Sequence, residues 1–305
     1  MESKIEKRLI WLNGKLCSAD EAKILVLSPT SQFGLNVFEG IPCFWNDKKQ
    51  QLFAFRLDDH YKRLLNSAKM LGLDHQYSLD YLKNEFKRTI LANGYKENLI
   101  VRQTIFVDGF GSWSSCDPCG MFISPIPKRF TSSEYNQKGL NCCVSSFRRI
   151  SEDCMSPKIK CGANYINSRN GQREAIKNGF DTCIFLNSKG TVSEGPGSCL
   201  FIVKGNKLIT PSLTDSILES ITRDTVFLLA KTLGVECIER SIDRSELYNC
   251  DGAFLCGSSM GITRIESIDK FVVPGSPIIV SLSDLYKKVV LGEEKEFLHL
   301  LTPIY

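Results

Sequence analysis

The sequence predicts an α/β architecture, layers of helix and sheet in two domains, and three observations carry it. Short apolar, strand-like runs such as Leu9-Ile10-Trp11-Leu12 and Leu99–Val107 alternate with helix-length amphipathic stretches. The 305 residues, 43% hydrophobic and 24% charged, suffice for two cores of ordinary size. A proline-containing stretch, Ser124-Pro125-Ile126-Pro127, and the polar run Thr131-Ser132-Ser133-Glu134 interrupt the pattern near the middle. The division this implies is a smaller N-terminal α/β domain over 1–125, a linker over 126–137 and a larger C-terminal domain over 138–305.

Element by element, Leu9–Leu12 is a strand leading into an Asn13-Gly14 turn, and Ile24–Leu27 and Leu52–Phe55 are strands. Asp58 or Asp59 can cap a helix carrying Tyr61, Leu64, Leu65, Ala68 and Leu71. Ser78 can cap a second over 79–92, with Gly94 as its stop. Strands over Leu99–Val107 and 121–124 complete the first layer. Past the linker come a strand over 140–147, a helix over Tyr165–Lys177 ended by Gly179, and a hairpin whose arms 199–203 and Lys207–Thr210 flank Gly205-Asn206. An amphipathic helix over 222–233, strands over 253–255, 262–268 and 271–273, and a helix over 282–291 finish the chain.

A formal net charge of +4 is too mild, and the basic residues too interspersed with acids, to point to nucleic acid or an anionic membrane. The first residues lack the apolar core of a signal peptide and no apolar run reaches membrane-spanning length, so the cytoplasm is the expected location. Thirteen cysteines, scattered through apolar segments such as Cys142-Cys143-Val144 and Cys183-Ile184-Phe185, read as reduced, buried small hydrophobes. Cys116-Asp117-Pro118-Cys119 has the spacing of a redox dithiol or half a zinc site. It has no second CxxC, and His60, His75 and His299 lie far apart, so a structural role leads, ahead of redox regulation and of metal binding.

The block Lys160-Cys161-Gly162-Ala163-Asn164-Tyr165 and, after a helix-length stretch, Ser193-Glu194-Gly195-Pro196-Gly197 pair one amine with one carboxylate. Pyridoxal phosphate needs both: a lysine for its aldehyde, and an acid that keeps its ring nitrogen protonated so that the ring can draw electrons. Spacing alone does not carry this, because a lysine and a glutamate some distance apart occur in most proteins.

Seven ordered blocks carry it further: Phe38-Glu39-Gly40, Phe55-Arg56 through His60-Tyr61-Lys62-Arg63-Leu64, Arg102 in Val-Arg-Gln-Thr-Ile-Phe, Lys160–Tyr165, Glu194-Gly195, Ile221-Thr222-Arg223-Asp224 and Cys256-Gly257-Ser258-Ser259. From about residue 8 to 300 the chain resembles the class IV (fold-type IV) pyridoxal-phosphate aminotransferases, and among them the branched-chain amino acid aminotransferases. The resemblance implies a two-domain fold-type IV enzyme with pyridoxal 5'-phosphate at the domain interface, a homodimer, and a loop near 109–115 reaching the neighbour's pocket. It implies ping-pong transfer of an amino group between an amino acid and a keto acid.

The resemblance also assigns residues. Lys160, five before Tyr165, becomes the catalytic Schiff-base lysine, with Lys158 as a surface charge. A free amine attacks an aldehyde only when neutral, so burial or nearby positive charge must lower its ordinary pKa of about 10.4. Glu194 takes the ring nitrogen, Tyr165 the ring oxygen, and Arg149 stands where the family keeps an arginine near the active site. For the phosphate, Ile221 and Thr222 start a helix, whose amides and dipole suit an anion, and Arg63 adds a charge-assisted contact. Ser258 donates to the phosphate. Phe38, Arg102, Ser258 and Ser259 fall to the substrate.

Phe33, Ile100 and Phe130 stand where tyrosines are usual in the branched-chain enzymes, and Cys199 replaces an asparagine common after Glu-Gly. Lost hydroxyls make Phe33 and Phe130 apolar substrate contacts, so the acceptor and the substrate side chain are expected to depart from the usual pair. A D-amino acid or amine transaminase, an aminodeoxychorismate-type lyase, and a non-catalytic binding module are the alternatives, the last disfavoured by survival of both Lys160 and Glu194. No metal is expected.

Overall fold

A computed structural model describes residues 8–128 and 138–305. Contacts divide the chain into two units. One comprises the N-terminal part through 128 with Ile159–Ala163 and Val289–Tyr305; the other comprises 138–158 and Asn164–Lys288. The short central segment and the C-terminal tail thus pack with the N-terminal part, where the sequence suggested one continuous C-terminal domain over 138–305. Backbone pairing is the reason: Cys161 bridges Val37, and the last strand, Leu301–Pro303, pairs with residues 53–55.

The first unit is built on β1 (Leu9–Leu12), β2 (Lys15–Ser18), β3 (Asn36–Asn46), β4 (Gln51–Phe55), β5 (Leu99–Val107) and β6 (Cys119–Pro127). They form a seven-stranded sheet in the order C-terminal strand, β4, β3, β5, β6, β1, β2. The Asn13-Gly14 turn closes β1 on β2, with Leu12 opposite Lys15. Helix α1 (Pro29–Phe33) is short. Helices α2 (Leu57–Met70) and α3 (Leu79–Asn93) contribute Tyr61, Leu64, Leu82 and Phe86 to a core shared with Trp11, Val37, Ile41 and Ile105. The Ser78 hydroxyl caps α3 by accepting from the Tyr81 amide, and Gly94 ends it at φ 64°, a left-handed geometry that glycine adopts without a Cβ clash.

Three expectations for this unit are corrected. Ile24–Leu27 is not a strand: β2 is the sheet edge on that side, and the apolar run lies exposed without a pairing partner. Ser124–Pro127 is not linker but the end of β6, where Pro125 and Pro127 pair with Val101 and Leu99. Their missing N–H groups are tolerated because β1 covers only Phe122 and Ile123 of β6. The polar run 131–134 and Phe130 lie outside the described residues. Finally, α2 has Arg56 at its cap position in left-handed geometry with no side-chain cap; Asp58 and Asp59 sit in the first turn, where carboxylates suit the helix dipole.

The second unit carries β7 (Leu140–Arg148), β8 (Thr182–Leu186), β9 (Cys199–Lys204), β10 (Lys207–Thr210), β11 (Glu236–Glu239), β12 (Gly252–Gly257), β13 (Gly261–Ile268) and β14 (Phe271–Val272). The sheet order is β11, β10, β9, β12, β13, β7, β8, with β14 on β13. Helix α4 (Tyr165–Lys177) packs on β7 and β8, and α5 (Ile221–Thr232) on β11 and β12; α6 (Pro277–Val290) starts five residues before the expected 282. The β9–β10 hairpin turns at Gly205, φ 58°. Among the described residues no helix is long and apolar enough to cross a membrane, and no group of three or more His, Cys, Asp and Glu side chains could hold a metal ion. All thirteen cysteines are free thiols.

Candidate active site

In the first unit the lysine block is sewn onto β3. β4 pairs β3 only at Cys43–Asn46, so the edge of β3 from Asn36 to Phe38 stands open to another backbone. The block fills it: the Phe38 amide donates to the Lys160 carbonyl at 3.0 Å, Val37 bridges Cys161, and the Gly162 amide donates to the Asn36 carbonyl at 3.3 Å. The Lys160 amide donates to Ser67 Oγ on α2 at 3.2 Å. A Cβ on Gly162 would lie 2.8 Å from Asn36 Oδ1, so a larger residue there would have to displace the Asn36 side chain.

Held in this way, the Lys160 amine lies 5.2 Å from the Phe38 ring centroid. Arg102, on β5 opposite Gly40, places its guanidinium 4.0 Å from the same centroid. Strand alternation puts Ile100, Arg102, Thr104 and Phe106 on one face of β5. Phe38 lies opposite Thr104, and a cavity of about 430 Å³ beside them is lined by Phe38, Arg102, Thr104, Phe106, Phe122 and Gly162 among others. Phe33, on α1, is 44% exposed, and Ile100 is buried.

On the other face of β3, Glu39 is fully buried. Its Oε1 accepts from Arg63 Nε at 2.7 Å, and its Oε2 from Arg63 Nη2 at 2.8 Å and from His60 Nδ1 at 2.7 Å. Burial alone would raise the Glu39 pKa, but the Arg63 and His60 partners together overcome it and hold the carboxyl well below the usual carboxylate range. Burial pushes the His60 imidazole down, with Glu39 opposing and the charges of Arg63 and Lys160 adding to the depression.

In the second unit Glu194 follows β8 at a short antiparallel return, its main chain bonded to Phe185. Its side chain is buried, with Oε1 accepting from Arg149 Nε at 2.9 Å and Oε2 from the Leu218 amide at 3.3 Å. The Cys199 thiol donates weakly to the same Oε2 at 3.9 Å. Arg149 is buried too, and its Nη1 donates to Asn167 Oδ1 and Ser168 Oγ on α4, at 3.2 and 3.3 Å. Tyr165 opens α4, half-buried.

The loop from Pro211 leads from β10 to α5, anchored by buried Asp215, which accepts from Asn187, Thr191, Ser212 and Ser241. Ser220 caps α5 by accepting the Arg223 amide at 3.2 Å, which leaves Ile221 and Thr222 as the first two residues of a helix start. Both are buried, and the helix dipole favours an anion there. Arg223 serves the fold instead, reaching the Pro211 carbonyl and Glu239. Ser258 and Ser259 lie in the turn after β12, half-buried and exposed respectively.

Comparison with known proteins gives these groups a context. The family model for class IV amino-transferases matches residues 36–268, more than half of the chain. The chain belongs to the class IV aminotransferases. It is 34% identical to a probable branched-chain-amino-acid aminotransferase of Aquifex aeolicus, over 97% of this chain and 96% of that one. Among solved structures, the branched-chain aminotransferase of Thermoproteus uzoniensis with norvaline superposes with a TM-score of 0.93 at 39% identity, covering 98% of this chain and 99% of that one. The branched-chain amino acid aminotransferase of Thermobaculum terrenum in its PLP form has a TM-score of 0.93 at 37% identity, with 99% of each chain covered.

Within this class IV aminotransferase, the first unit gathers Lys160, Phe38, Arg102 and Arg63, and the second gathers Glu194, Arg149, Ile221 and Thr222. Lys158 belongs to the second unit and is half-buried rather than a fully solvated charge. Sequence reasoning gave no task to Glu39, His60, Thr104 or Asp215. For Glu39 and His60 the signal was their place inside two of the seven ordered blocks; for Thr104 it was only its spacing of two from Arg102. In the CxxC loop, Cys116 is exposed, and burial pushes the Cys119 thiol up to about 11, which keeps it protonated near neutrality.

Proposed function

We propose that this chain is a pyridoxal 5'-phosphate-dependent aminotransferase of the branched-chain type, moving the amino group of an apolar amino acid to a keto acid. The observation that carries the proposal is the fixing of Lys160 by both its carbonyl and its amide, which sets the amine at the Phe38 ring. The likeness to the norvaline-bound and PLP-form structures supports substrate class and cofactor.

In this proposal Lys160 would hold the cofactor by its aldehyde, and its amine would carry the substrate α-proton. The bound cofactor supplies an electron-withdrawing ring that makes that proton acidic. Glu194 would serve the ring nitrogen, with Arg149 holding the carboxylate in place through the 2.9 Å contact, and Tyr165 would serve the ring oxygen. Arg63, Ile221, Thr222 and Ser258 hold the phosphate. Phe33, Phe38, Phe130 and Ser259 shape the substrate pocket, and Arg102 supplies its fixed positive charge. The functional form is a homodimer, which suits a loop over 109–115 whose Phe110 and Trp113 are 74% and 72% exposed, and its compartment is the cytoplasm, which suits thirteen free thiols.

Borohydride treatment of the cofactor-loaded protein followed by peptide mass mapping tests the assignment. A pyridoxyl group on Lys160 is the expected result; one on Lys158, or on neither, refutes it. Norvaline or leucine should then discharge the cofactor colour in a half-reaction, with the matching keto acid as product. Release of pyruvate from aminodeoxychorismate, with no half-reaction on either amino acid, would point to a lyase instead.

A further inference from the structure

Glu39 and His60 form, with the proposed phosphate ligand Arg63, a fully or nearly buried polar group, and the proposed chemistry uses neither Glu39 nor His60 directly. The Arg63 side chain is 12% exposed and those of Glu39 and His60 are 0% exposed. Such a pair is a poor device for stability, because removing two charges from water costs about what their attraction returns. Its geometry serves orientation better. Arg63 meets both carboxylate oxygens with Nε and Nη2, the two-point contact that fixes the plane of a guanidinium.

His60 locks the carboxylate in turn. An ionised carboxylate only accepts, so His60 Nδ1 carries the proton between them, and Nε2 is left as a buried acceptor without a partner among the described residues. Burial, which pushes the imidazole pKa down, favours the ring without a second proton on Nε2. His60, Arg63 and Ser67 fall at spacings of three and four on one face of α2, and Ser67 is the residue that accepts the Lys160 amide. One helix face therefore orients the arginine and the lysine segment together.

We infer that Glu39 is the positioning residue for Arg63: its two-point contact with Nε and Nη2 fixes the plane in which the guanidinium meets the phosphate of the cofactor. This rests on the function proposed above. Two effects of its removal have opposite signs. Loss of a neighbouring negative charge would strengthen the attraction of Arg63 for an anion, whereas loss of the two-point hold would let the guanidinium wander. Outer partners of binding groups, measured at metal sites, are worth about 10–100-fold in affinity, and we expect the positioning effect to win.

The test titrates the apoprotein with pyridoxal phosphate and, separately, with pyridoxal, which has no phosphate. Glu39→Gln should weaken pyridoxal phosphate by about 10–100-fold and leave pyridoxal within about twofold. In an Arg63→Gln background the same substitution should change neither. Tighter binding of pyridoxal phosphate, equal weakening of both aldehydes, or an undiminished effect in the Arg63→Gln background each overturns the inference. Should Glu39→Gln fail to fold by circular dichroism, Glu39→Asp keeps the charge and shortens the reach by one methylene. It must then show the same phosphate-selective loss, and wild-type affinity for pyridoxal phosphate overturns the inference. Wild-type protein that binds neither aldehyde would instead refute the proposed function.

Discussion

Replacing Arg149 with methionine removes a buried cation from beside a buried anion. Arg149 and Glu194 are 7% and 4% exposed, and their contact is 2.9 Å. Breaking such a pair from one side costs about 3–5 kcal/mol, because the surviving charge keeps its desolvation penalty and loses its attraction. The Leu218 amide at 3.3 Å and the Cys199 thiol at 3.9 Å are long, weak donors and cannot replace a guanidinium. At about 2–4 °C per kcal/mol for a unit of this size, Arg149→Met should lower the melting temperature of the apoprotein by about 6–20 °C. Glu194→Gln should cost less, since Asn167 and Ser168 still accept from the arginine. The double variant Arg149→Met/Glu194→Gln removes both charges and should be more stable than Arg149→Met alone by about 2 kcal/mol or more. Thermal melts and urea unfolding of the four proteins measure this. Additive losses, or an Arg149→Met protein within about 1 kcal/mol of wild type, would refute the idea that the pair is a coupled buried unit.

Acid should destabilise the first unit in two stages. The folded pKa of His60 lies below its ordinary 6.5, so the unfolded chain binds the extra proton first and stability falls as pH drops through that value; Glu39, depressed below 4.5, adds its loss further down. His60→Gln should flatten the upper stage in urea titrations across pH 7 to 5, and an unchanged profile would contradict the assignment. Gly171→Ala places a Cβ 2.6 Å from Cε1 of the buried Phe185 ring, and overpacking of about 1–3 kcal/mol should exceed the helix-propensity gain of about 1 kcal/mol; a more stable variant would show that the ring yields. Phe33→Tyr restores one hydroxyl usual in the branched-chain enzymes and should raise kcat/KM for 2-oxoglutarate relative to pyruvate. No change in that ratio, or a wild type already fastest with leucine and 2-oxoglutarate, would make the tyrosine losses silent.

By itself the sequence determined the elements whose signals are local. The Ser78 cap and Gly94 stop bracket α3, the Asn13-Gly14 turn closes β1 on β2, and Tyr165–Lys177 is the helix its pattern indicates. Each depends on contacts within a few residues, so spacing alone encodes it. It also determined the family, because seven blocks of chemically constrained residues keep their order along the chain. Tertiary structure decided where pairing was long-range. β3 contains Glu39, Gly40, Pro42 and Asn46, none of them strand-forming, yet it lies inside its sheet because β5 pairs along it and because, from α2, Arg63 supplies a countercharge and His60 a hydrogen bond to the buried glutamate. Conversely, Ile24–Leu27 is apolar and extended-looking but finds no partner strand. The lysine block joins the first unit rather than the sequence that flanks it, since the open edge of β3 supplies the hydrogen bonds its own neighbours do not. A strand's place depends on which backbone donors and acceptors remain unsatisfied once the rest of the sheet has formed, and no local pattern of residue types records that.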